Sequence, residues 1–114
     1  MRFAMFIISD PDHTATDAAN APAFEDWHPY AIARGAYVEG IRFQEPDAAR
    51  TVRVRGGETV IAPGTFTDSV EKILGVAIIE CAGWDEAVDL AVHNNMAHEG
   101  RIELREIHSM GGPE

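Results

Sequence analysis

Thr59-Val-Ile-Ala-Pro-Gly-Thr-Phe-Thr-Asp-Ser-Val-Glu-Lys-Ile-Leu-Gly-Val-Ala-Ile-Ile-Glu80 decides how this chain is read. The stretch opens as a strand and breaks at Pro63-Gly64. It then passes through a short polar segment with one acidic cluster and closes in a second strand. Connections in small αβ domains commonly run to about 2–6 residues, and longer ones tend to be pocket walls or lids. The segment between these two strands is longer, so it is expected to shape a site.

Immediately upstream, Thr51-Val-Arg-Val-Arg, Gly56-Gly57 and Glu58-Thr-Val-Ile-Ala spell a hairpin with a two-residue loop. The register follows from the loop. Arg55 falls opposite Glu58, Val54 opposite Thr59, Arg53 opposite Val60 and Val52 opposite Ile61. Opposite charges then sit at the tip and apolar pairs on the inward face, as a stable register requires. Downstream, Leu74 to Cys81 is apolar on both alternating sets. So is the opening stretch Arg2 to Ser9, with Phe3, Met5 and Ile7 on one face and Ala4, Phe6 and Ile8 on the other. Two such strands belong side by side at the centre of a sheet.

The remaining elements fill in around these. Residues 11–21 are polar, Ala-rich and weakly patterned, and read as a mobile loop. A first helix is predicted over 22–35, with Pro22 in its first turn and Gly35 at its stop. Pro29 inside it would remove one backbone bond and press on the carbonyl of Glu25, at a cost of about 3 kcal/mol, so a kink or break is expected near Trp27-His28. Ala36 to Gln44 is a strand and Glu45-Pro46-Asp47 a turn. A second helix is predicted over 84–97, capped by Gly83, with Trp84, Ala87, Val88, Ala91, Val92 and Asn95 on its buried face. The last strand is Arg101 to Ile107. The order β-α-β-(hairpin)-β-α-β is that of a ferredoxin-like α+β sandwich, with helices on one sheet face. The two strands with apolar residues on both faces need cover on the other side as well. A homodimer whose sheets meet is the simplest source.

Composition narrows the function classes. The 114 residues are 46% hydrophobic and make one domain over 1–114, without repeats or linkers. A net charge of −10, with a single lysine among nine basic residues and 19 acids, excludes the basic footprint of a nucleic-acid binder and disfavours anionic membranes. The longest apolar run, Phe3 to Ile8, is too short to span a membrane, and no signal-peptide layout precedes it; a cytoplasmic protein is expected. The single cysteine, Cys81, can form no internal disulfide and reads as a buried thiol. His93 and His98 lie about 140° apart around a helix, so with Glu99 and His108 they make no ligand signature, and no metal is expected.

With these residues in place, the chain resembles the YCII-related proteins, specifically the branch named for a DGPF motif within the dimeric α+β barrel group. The resemblance rests on four stretches: Arg2 to Ile8; Ala49-Arg-Thr-Val-Arg-Val-Arg; Ala62-Pro-Gly-Thr-Phe-Thr-Asp-Ser-Val-Glu; and the pair Trp84-Asp-Glu-Ala-Val-Asp-Leu-Ala with Ile102-Glu-Leu-Arg-Glu-Ile. The motif itself is altered. Pro63-Gly64-Thr65-Phe66 stands where Asp-Gly-Pro-Phe would, so the motif's acid is absent. Glu71 matches the acid that follows it, and Gly75 one of the glycines opening the next strand. His28 lies roughly where a related branch carries the histidine of a His–Asp pair. The resemblance implies a dimeric barrel, and by analogy a place among cofactor-free monooxygenases and lyases.

The residues offer one acid–base group, His28 beside Asp26 and Trp27, with Glu71 as a carboxylate partner if the helix turns His28 toward the sheet. Arg53, next to the long connection, is a candidate anchor for a carboxylate or enolate, or else a cross-strand ion-pair partner. Trp27, Phe66 and Tyr37 are either pocket walls or core. One function is thus a cofactor-free acid–base enzyme acting on a small aromatic or carboxylated molecule in a barrel pocket. The alternative is a non-catalytic small-ligand-binding or regulatory dimeric module, favoured if no carboxylate reaches His28. A third is a purely structural dimer.

Overall fold

The opening strand β1 (Arg2–Ser9) is the spine of the molecule, and the computed structural model describes residues 1–109 around it. A six-residue helix α1 (Ala15–Asn20) follows, then a 3-10 turn over Phe24–Asp26 that runs into α2 (Trp27–Ala33). Strand β2 (Tyr37–Arg42) leads to the hairpin strands β3 (Arg50–Arg55) and β4 (Glu58–Pro63). After the long connection come β5 (Ile73–Glu80), α3 (Trp84–Val92), α4 (Met96–Glu99) and β6 (Gly100–Glu106).

Four strands form one sheet in the order β2-β5-β1-β6, and every pairing in it is antiparallel. The result is a mixed α+β fold, and this strand order is compatible with the ferredoxin-like arrangement. Strands β3 and β4 form a separate two-stranded sheet, with Arg55 opposite Glu58, Val54 opposite Thr59, Arg53 opposite Val60 and Val52 opposite Ile61. Gly56 and Gly57 both take positive φ, 58° and 80°, which the two-residue turn demands.

Only one face of the main sheet is covered by helices. Phe3, Met5 and Ile79 are fully buried there against Trp27 and Ala31 of α2 and Ala87, Leu90 and Ala91 of α3. Across the strands, Phe3 pairs with Ile79 and Met5 with Ala77, so these side chains share that face. The alternating set, Phe6, Ile8, Val76 and Ile78, points the other way and stays half-buried. Within one chain, therefore, apolar cover on both faces is realised on one face alone.

The hairpin reaches out from this body. Val52, Val54 and Ile61 are 61%, 57% and 61% exposed, a continuous apolar face open to solvent. The radius of gyration, 16.4 Å, exceeds the roughly 13 Å of a compact chain of this length, which fits an arm that projects.

Several expectations are corrected. Residues 15–20 are helical: Thr14 and Asp17 form a reciprocal capping box. The first core helix is shorter than 22–35. The helical segment breaks at Trp27, where the 3-10 turn gives way to α2, and Pro29 is the third residue of α2, where the backbone N–H has no intrahelical partner to lose. The helix expected over 84–97 splits after Val92. Its buried residues are Ala87, Leu90 and Ala91, while Trp84, Val88 and Val92 are about half exposed. Small alanines let α3 lie close to the sheet, and the larger side chains turn outward.

Candidate functional site

The long connection of residues 64–72 is tied down at both ends. Gly64 N–H donates to Ala49 O at 2.7 Å, and Thr51 Oγ1 donates to Gly64 O at 3.0 Å. At the far end Lys72 N–H donates to Ser9 Oγ and Ser9 N–H donates to Lys72 O, each at 2.9 Å, which joins the loop to the end of β1. Between these ties, Thr65 Oγ1 donates to Thr67 O at 2.8 Å, and Glu71 N–H donates to Ser69 Oγ at 3.1 Å. The loop is thus a held wall.

That wall borders an open cleft of about 840 Å³ on the sheet face without helices. Its floor is Phe6, Ile8 and Ile73; its sides are Phe43 and Pro46, the hairpin base at Arg50 to Val52, and the loop with Phe66. The volume lies within the range of small-molecule pockets, about 300–1,000 Å³. Predominantly apolar walls with a few polar groups are what such pockets use.

Two of the expected residues line this cleft. Glu71 does so with its carboxylate engaged: Arg101 Nε on β6 lies 3.2 Å from Glu71 Oε2 and 3.4 Å from Asp10 Oδ2. Phe66 lines it as an 80% exposed ring, free to meet a ligand. Three others lie elsewhere. Trp27 is a core residue, 8% exposed, whose indole N–H donates to Leu90 O at 2.8 Å and so ties α2 to α3. His28 is on the helix side with its ring edge against Tyr37, centroids 4.4 Å apart. Tyr37 pairs with Ile79, whose side chain is in the helix-covered core, so the sheet separates His28 from Glu71. The two do not form an acid–base pair within the chain. Arg53 is exposed on the projecting arm, one alternation beyond the base residues that reach the cleft.

Sequence reading missed Lys72. It is the single lysine of the chain, half-buried in the cleft wall, with Nζ donating to Thr65 Oγ1 at 2.8 Å and to Thr67 O at 3.1 Å. Arg50, at the hairpin base, also lines the cleft. Lys72's rarity and its place beside Glu71 were the available signals. What hid it was the loop fold that turns its ammonium back over Thr65 and Thr67.

Outside the cleft, Tyr30 OH donates to Asp89 Oδ2 at 2.6 Å, which raises the Tyr30 phenol above its ordinary value. The ring is sandwiched between the Arg34 guanidinium at 3.4 Å and the stacked His93 ring at 4.1 Å. This cluster staples the two core helices at their exposed edge. Burial pushes the Cys81 thiol up, and its Sγ donates to Gly83 O at 3.5 Å, as an unreactive thiol would. His93 Nδ1 and His98 Nε2 sit 2.8 and 3.0 Å from the carbonyls of Asp89 and Val92. Among the described residues no helix is long and apolar enough to cross a membrane.

A family model described as the YCII-related domain matches residues 1–111. An uncharacterised protein of Rhizobium meliloti (strain 1021) is 40% identical over 60 residues, which span 51% of this chain and 48% of that relative. The match thus covers about half the length of each.

Proposed function

The chain belongs to the YCII-related family, and on that premise we propose that it is a small-molecule-binding module whose site is the cleft on the open sheet face. The observation that carries this reading is the cleft itself, about 840 Å³ walled by Phe6, Ile8, Phe43, Phe66 and a loop pinned at both ends. A preformed apolar hollow binds without first ordering its walls. The binding reading is preferred to acid–base catalysis by His28 because Glu71 is engaged by Arg101 and His28 packs on Tyr37.

The same reading makes the protein a homodimer of the DGPF-motif branch, with one domain per chain and a ferredoxin-like sheet closing into a barrel with its mate. Its support is the pair of apolar surfaces left uncovered: Phe6, Ile8, Val76 and Ile78 on the sheet, and Val52, Val54 and Ile61 on the arm. Burying such surface yields about 25 cal/mol per Å².

Phe66→Ala tests the site without endangering the fold, because the ring is 80% exposed. With naphthylacetamide as a neutral apolar probe, wild-type protein is expected to give saturation-transfer signals that Phe66→Ala reduces severalfold. Equal signals from both proteins would remove Phe66 and its cleft from the binding reading.

A further inference from the structure

Resting on the cleft-binding reading and deepening it, the geometry points to a carboxylate-bearing ligand: an apolar, flat body in the cleft with a single anionic group on Lys72 Nζ. Lys72 is the only lysine of the chain, and its backbone is locked to β1 through both Ser9 bonds. Two of its three ammonium N–H groups are used, on Thr65 Oγ1 and Thr67 O. One donor remains. Among the described residues no carboxylate lies within 4.0 Å of Nζ, since the ion pairs there involve Arg2, His93 and Arg101. Glu71, its sequence neighbour and the nearest acid along the chain, is engaged by Arg101 instead.

The Lys72 ammonium stands on the wall of a mostly apolar cleft with no carboxylate of the described residues within reach, and a ligand anion supplies that counter-charge. Arg50 on the same cleft adds a second cation for that anion to face. The charge balance also sets how much negative charge fits. Glu45 and Glu71 line the same cleft, and Asp10 lies beside Arg101 in a chain of net charge −10. A monoanionic carboxylate meets Lys72 with little repulsion, whereas a phosphate dianion meets these acids with twice the charge.

The experiment pairs two ligands of one shape, naphthylacetate and naphthylacetamide, each titrated against the full chain by 1H–15N correlation spectra. The acid is expected to bind at least about tenfold more tightly, as a charge-assisted hydrogen bond in an apolar site provides. Lys72→Met is expected to erase that advantage and Lys72→Arg to keep it. As the single lysine of the chain, Lys72 gives one side-chain Cε–Hε correlation in 13C-labelled protein. That resonance should move further with the acid than with the amide, which decides the matter even where Lys72→Met loosens the loop. Equal affinity of acid and amide for wild-type protein would overturn the carboxylate assignment while leaving the cleft reading intact. An advantage that survives in Lys72→Met would overturn Lys72 as anchor. Absence of binding by either ligand would remove the cleft reading, and this inference with it.

Discussion

Trp27 looks like a site residue in the sequence, between an acid and a histidine, and is a structural one in the fold. Its indole is 8% exposed, and its N–H is the hydrogen-bond donor that joins α2 to the Leu90 carbonyl of α3. Trp27→Phe keeps the apolar ring but leaves that buried carbonyl without its partner. We expect a loss of about 1–3 kcal/mol in stability, read from the midpoint of a urea transition at unchanged slope. Ligand binding to the opposite face should be preserved in the folded variant. Lys72 is the converse case. Its sequence context says little, yet the hydrogen bonds of Thr65 and Thr67 hold its charge at a place where a ligand can use it.

At the scale of elements, the capping box of α1 makes a pH-dependent contribution. The backbone N–H and hydroxyl of Thr14 hold the Asp17 carboxyl below its ordinary value of 3.8. A depressed folded-state value means stabilisation that is present in full above the ordinary value and fades as pH falls through the lowered one. Carboxyl titration by NMR should place Asp17 below 3.8, and Thr14→Ala, which removes the hydroxyl and keeps the backbone N–H, should raise it part of the way. A wild-type Asp17 at or above 3.8 would deny the cap its electrostatic role. The hairpin is the other element with an independent prediction. Its register was legible residue by residue, because a two-residue glycine turn admits one pairing of Val52, Val54, Thr59 and Ile61. Helix α1 was not legible as a helix, although its Thr-x-x-Asp cap was in plain view, because six residues without a buried face carry no apolar period. For α3 the period was present and ambiguous. Trp84, Val88 and Val92 make as good a stripe as Ala87, Leu90 and Ala91, and only packing distance to the sheet selects the smaller residues.

For the whole molecule, the pairing of β1 with β5 followed from the two strands with apolar residues on both faces, while the cleft did not. The long connection was marked by its length, and Phe66 and Glu71 by their place in it. His28 and Arg53 fall outside the cleft, because sequence does not say on which side of a sheet a helix lands, nor how far an arm projects. The uncovered apolar surfaces carry the dimer proposal. Sedimentation equilibrium at micromolar concentration should give twice the 12.4 kDa chain mass, and Val54→Glu with Ile61→Glu should shift it toward the monomer. Both substitutions fall on exposed arm positions, so the fold itself should be spared. A wild-type monomer under these conditions would contradict the dimer.

If the working face is the one without helices, a 1H–15N titration of the wild-type chain with naphthylacetamide should give progressive shifts at Phe6, Ile8, Phe43 and Thr65 to Ile73, with Trp27 to Ala33 unmoved. Shifts centred on Trp27, His28 and Tyr37 with a silent cleft would contradict it and return the site to the helix side.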